Sequence, residues 1–190
     1  MDEASAPWSP RASLGRAVLD AVRASALPAA FLYALYAAAG TWGFVPMSSL
    51  VVADLMASSL ASAAIGLAAR RDAPPLRADL LAAGLVAIAL QVTLVAIASN
   101  VGEAAALSIV VFGSALLFLS VPWVTATVVA AGLGAALQLP EAGVAGVAAD
   151  VFSVAATGGI AVILVQSRIK THLQHDRLRY DEVRLRERYQ

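Results

Sequence analysis

The 190-residue chain contains no cysteine. That one absence removes disulfide staples, thiolate nucleophiles, Cys-ligated zinc and Cys-held iron–sulfur clusters. Charge is scarce too: only 14% of residues are Asp, Glu, Lys or Arg, where soluble proteins carry about 25%. Lys170 is the sole lysine, and His172 and His175 are the only histidines. The net charge is zero, so no overall basic field draws the chain to nucleic acid. The basic residues also lack a folded reader motif. No nucleophile–histidine–acid set, phosphate loop or cyclase-type signature occurs. The sequence therefore predicts no catalytic residue, no cofactor and no metal centre. His172 and His175 stand at i, i+3, a spacing that can share a metal, but only Asp176 lies close enough to assist. They read as solvated helix residues.

What is abundant is apolar sequence: 60% of residues are hydrophobic, and the mean hydropathy is +0.78. A water-soluble core does not need this much, and a bilayer does. The Ala-rich, Lys-poor usage suggests a bacterial source. The N-terminus opens on Asp2 and Glu3, unlike a signal peptide, and cleavage after Ala38-Ala39-Gly40 is not expected.

A membrane span needs about 20 mostly apolar residues to cross ~30 Å of hydrocarbon. Six such runs can be placed: Ala24 to Val45, Ser48 to Ala69, Ala78 to Ser99, Ala104 to Leu119, Val121 to Leu139 and Gly143 to Ser167. The fourth and fifth are short, separated only by Ser120 to Trp123. Pro122 lacks an amide proton and disfavours helix at the preceding residue, which predicts a tight hairpin. Pro46, Pro74 with Pro75, and Pro140 punctuate the other boundaries.

The positive charges give the orientation. Arg11, Arg16 and Arg23 precede the first run. Arg70, Arg71 and Arg77 separate the second and third. Arg168, Lys170 and five further arginines follow the sixth, which accounts for every Lys and Arg. With six spans all of them fall on one side, and five or seven would scatter them. Their excess on cytoplasmic loops then predicts both termini in the cytoplasm of a multi-pass bacterial inner-membrane protein. The expected fold class is all-α integral membrane: a six-helix transmembrane bundle with a C-terminal cytoplasmic helix. Three regions follow: an N-terminal arm over 1–23, a membrane domain over 24–167 and a connector helix over 168–190. Small residues such as Ser58, Ser59, Ser62, Gly132, Gly134, Gly158 and Gly159 predict close helix approach in lipid.

Two acids lie well inside spans, Asp54 in the second and Asp150 in the sixth. Buried carboxyls in lipid face protein or a watery cavity, because a charge at the bilayer centre costs about 2.5–3.5 kcal/mol or more. Both are expected in the outer half of the bilayer. Ser58 shares a face with Asp54, while Ser153 and Thr157 share one with Asp150; Gln91 lies at similar depth in the third span. One reading is an outward-opening polar pocket lined by Asp54, Asp150 and Gln91, closed by Tyr36 and Trp42. It would take a small hydrophobic or cationic ligand. The other reading is interhelical hydrogen-bonding glue. A cation- or proton-coupled transporter built on Asp54 and Asp150 is the rival function. No internal repeat supports it.

The arm over residues 8–24 reads as a helix, with Ser9 and Pro10 at its start and Trp8, Leu14, Val18 and Val22 near one face. It is either interfacial or a plain flanking segment. From Arg168 to Gln190 there is no Gly and no Pro, and Asp181 with Arg184 and Glu182 with Arg186 are paired at helical spacing. A 4–3 apolar seam can be placed on Ile169, Leu173, Tyr180 and Val183, with acidic Asp176 and Glu187 on it. Leu178 and Leu185 form a second stripe. A coiled coil of two copies and a solvated single helix both remain open.

This layout of six short spans, minimal loops and a charged exit helix resembles the membrane-anchor and sensor modules of bacterial signalling receptors. Ala104 to Asp176 resembles the last three spans and exit helix of mycobacterial-type six-span adenylate cyclases. Leu185-Arg186-Glu187-Arg188-Tyr189-Gln190 resembles the lead-in helix of PAS domains. The resemblance implies a homodimeric sensor or anchor in the lipid bilayer, itself no enzyme, that feeds a downstream output domain. A histidine kinase is the first expectation for that domain and a nucleotide cyclase the second.

Overall fold

A computed structural model describes residues 9–70, 75–99, 105–137 and 139–189, without the side chains at 75, 76, 105, 139–145 and 187–189. Trp8, Arg71 and Glu103 lie outside the described residues. Regular structure is helical throughout the described residues: α1 (Pro10–Thr41), α2 (Ser49–Ala69), α3 (Pro75–Ala98), α4 (Ala105–Leu117), α5 (Val121–Ala136) and α6 (Leu139–Tyr189). Four of these, α1, α2, α3 and α6, are long and apolar enough to cross a membrane. With 13 and 16 residues, α4 and α5 rise only about 20 and 24 Å.

The helix ends follow local chemistry. Ser9 is extended and Pro10 opens α1, where its missing amide costs no internal bond. α1 closes with a Schellman motif. Phe44 N–H donates to the Ala39 carbonyl at 3.0 Å and Gly43 N–H to the Gly40 carbonyl at 3.2 Å. The motif needs a left-handed residue between them, and Gly43 supplies it at φ 75°. Ser48 caps α2, its hydroxyl accepting from Val51 N–H at 3.3 Å. Ser120 is extended, and Pro122 sits in the first turn of α5. The hairpin expected around Pro122 is present, with its break at Phe118–Ser120 rather than at 120–123. Proline is accepted in a first helical turn, so the helix restarts before it instead of ending at it.

α1 packs along α2 and α3, and α6 packs along α4 and α5. The two triplets meet through α3 with α4 and α1 with α6. The main core runs through the bundle from the end that carries the basic residues to the start of α4. It is built on Val18, Leu19, Val22, Leu107, Val111, Phe118, Val124, Val154 and Val165. Phe118 and Trp123 stack across the α4–α5 turn with centroids 5.7 Å apart. A second, smaller cluster of Ala37, Val51 and Leu55 lies nearer the opposite end. Outward faces are apolar as a lipid-facing surface requires, with Leu60, Ile109 and Ile163 exposed.

The segment 10–23 does not stand apart. It is one unbroken helix with the first long run, and Ser13, Gly15, Val18, Leu19 and Val22 are buried in the bundle. Two arginines of the basic end close neighbouring helices. Arg23 Nε donates to the Ala69 carbonyl at the end of α2 at 2.6 Å. Arg168 Nη1 donates to the Ala115 and Leu116 carbonyls at the end of α4 at 2.6 and 2.8 Å. Both place a cation where the helix dipole is negative and carbonyls lack helical partners.

Candidate functional site

Asp54 and Asp150 sit on different triplets. Asp54 stands one and a half turns into α2, and Gln91 stands late in α3, so antiparallel packing brings them to one level. Gln91 Nε2 donates to Asp54 Oδ1 at 2.7 Å. Tyr33 of α1 lies within electrostatic reach of Asp54 and packs on the Ala37–Val51–Leu55 cluster. The sequence points to Tyr36 on this helix, and the structure leaves Tyr36 half exposed. The two tyrosines are three residues apart, about 60° round the helix. Only the rotation of α1 against α2 and α3 decides which faces the acid.

Asp150 is elsewhere. α6 and α2 do not pack together among the described residues, so Asp54 and Asp150 are not brought into one pocket. The nearest organised polar contact is one turn on, where Ser153 and Ser108 of α4 share a hydrogen bond of 3.1 Å. Asp150 and Thr157 are half-buried and make no hydrogen bond among the described residues. Ser58 is buried within α2, whereas neighbouring Ser59 donates to the Ala30 carbonyl at 2.8 Å and ties α2 to α1.

Trp42 is 73% exposed and meets Phe44 edge-on with centroids 6.4 Å apart. It lines a cavity of about 450 Å³ between α1 and α2, with Ala34, Ala37, Thr41, Met56 and Leu60. Met56 and Leu60 lie roughly 200–240° round α2 from Asp54, so this apolar cavity opens away from the acid. No group of three metal-binding side chains occurs among the described residues.

The arrangement is suited to holding three helices in register. An amide–carboxylate bond between helices in lipid is worth about 0.6–1.7 kcal/mol. A double-mutant cycle of Asp54→Ala and Gln91→Ala, read by unfolding in detergent micelles, should return a coupling in that range. A coupling of zero would refute the bond. No protein-family model, no curated protein and no solved structure matches this chain.

Proposed function

We propose that this chain is the sensor and anchor module of a bacterial signalling receptor, working as a homodimer in the inner membrane. In this reading all six helices enter the bilayer, both termini are cytoplasmic, and the output domain follows α6. A histidine kinase is the first choice for that domain and a nucleotide cyclase the second.

The observation that carries the reading is α6 itself. It runs unbroken over 51 residues, Leu139 to Tyr189, about 76 Å. Its first half packs against α4 and α5, and its last turns leave the bundle with charged faces. A shift in packing around Val154, Ala161 and Val165 therefore reaches the far end as a rigid rotation or translation. A small hydrophobic or cationic ligand, or a membrane state, would drive it by favouring one packing over another.

The short α4 and α5 leave the charge argument intact. The pair returns to the side it came from whether it crosses fully or only dips into the lipid. Arg11, Arg16, Arg23, Arg70, Arg77 and the basic residues of α6 stay on one side in both cases. The transporter reading needs Asp54 and Asp150 to act together, and they sit on helices that do not pack together among the described residues.

Sequencing the native transcript past codon 190 tests the proposal. An in-frame kinase, PAS or cyclase domain supports it. A stop codon at that point overturns it and leaves a transporter or scaffold subunit.

A further inference from the structure

The exit helix carries two apolar stripes, and the bundle treats them differently. The first stripe runs through Ile169, Leu173, Tyr180 and Val183, with Asp176 on its line. Its membrane-proximal part is already occupied. Ile169 packs against the main core, Leu173 is half-buried, and Asp176 Oδ2 accepts a hydrogen bond from the buried Ser13 hydroxyl of α1. His172 Nε2 lies 3.6 Å from the same carboxylate oxygen. Further out, the Arg184 guanidinium covers the Tyr180 ring at 5.1 Å. The second stripe is free throughout, with Leu178 70% and Leu185 52% exposed, whereas the first is free only at its far end, where Val183 is 54% exposed. These two leucines are seven residues apart, within about 20° of one another round the helix. Tyr180 and Val183 lie about 140–200° away.

Charge separates the stripes further. Two copies in one membrane share an orientation, so their exit helices run parallel. In a parallel pair, a residue at heptad position g faces the following e position of the other helix. With Leu178 and Leu185 at d, Asp181 falls at g and Arg186 at the next e, so opposite charges meet. With Val183 at d and Tyr180 at a, Arg179 falls at g and Arg184 at the next e, so like charges meet. Glu182 lies on the leucine seam, and Arg186 of its own helix holds its carboxylate at 2.6 Å.

We infer that the exit helix pairs with a second copy of this chain through Leu178 and Leu185, with Asp181 facing Arg186 across the pair, because α1 occupies the proximal part of the other stripe. This deepens the homodimer reading above and rests on it. The N-terminal helix then has a defined role: it is the intramolecular partner that confines pairing to the last turns of α6.

The cysteine-free chain allows a direct test. Single variants Leu178→Cys, Leu185→Cys, Tyr180→Cys and Val183→Cys of the full chain are oxidised in native membranes, and disulfide-linked dimer is measured on a non-reducing gel. Leu178→Cys and Leu185→Cys should cross-link severalfold more than the other pair. Equal or stronger cross-linking at 180 and 183 overturns the assigned stripe and leaves the homodimer standing. Cross-linking at none of the four removes the homodimer itself. As an independent check in the Leu185→Cys background, Asp181→Arg should cut the dimer yield severalfold, and adding Arg186→Asp should restore it. Failure to restore overturns the charge register.

Discussion

Gly158→Ala should destabilise the bundle by about 1–3 kcal/mol, while Gly159→Ala should be neutral or slightly stabilising. A Cβ at 158 would stand 2.7 Å from both methyls of Val128 on α5 and 3.3 Å from its Cβ. Valine is branched at Cβ and held to few rotamers, so its methyls cannot swing aside. Relief has to come from moving α5 off α6. At 159 nothing lies within 4 Å. There the new methyl faces outward, and alanine gains up to about 1 kcal/mol of helix propensity over glycine. Chemical unfolding of both variants in micelles gives the comparison. Indistinguishable midpoints would show that α5 and α6 do not meet at this crossing.

Arg168→Leu should cost about 2–4 kcal/mol, with Arg168→Lys recovering roughly half, since hydrogen bonds to charged groups contribute about 1.5–3 kcal/mol each. The last carbonyls of any helix lack internal donors. At the end of α4, Phe118 N–H serves Ser114 at 2.8 Å, and the Arg168 guanidinium serves Ala115 and Leu116. Leucine has the length to fill the space and nothing to donate. Lysine keeps a cation against the negative helix end but offers a point charge in place of a planar fork. Loss of the cap should first loosen the α4–α5 turn, where Phe118 is fully buried against the core. Labelling of a cysteine placed at Ser120 reports that loosening: faster labelling in the leucine variant than in the parent is the expected result. An unchanged rate and an unchanged unfolding midpoint would together refute the cap.

Arg168 marks topology in the sequence and acquires a second role in the fold. Charge sidedness is a property of counting along the chain, and Arg168 served there as one of the positive charges after the sixth run. Its hydrogen bonds to α4 join residues about fifty positions apart and depend on how α6 packs, which no local pattern encodes.

Much of this protein was settled by the chain alone, because lipid imposes one-dimensional rules. Apolar run length decides what can span, backbone groups in lipid must bond within a helix, and proline, glycine and serine mark where helices begin and end. Hence the helical class, the boundaries near Pro46 and Pro75, the hairpin near Pro122 and the continuity of the exit helix were all legible. Rotation of each helix about its own axis was not legible, since a lipid-facing and a protein-facing residue are equally apolar here and the pattern loses its amphipathic signal. Tertiary packing therefore chose Tyr33 over Tyr36, Gly158 over Gly159 and Gly134 over Gly132 for the contacts between helices. It also separated Asp54 from Asp150, which similar depth alone had placed together, and it seated Ser13 on Asp176 at a separation of 163 residues.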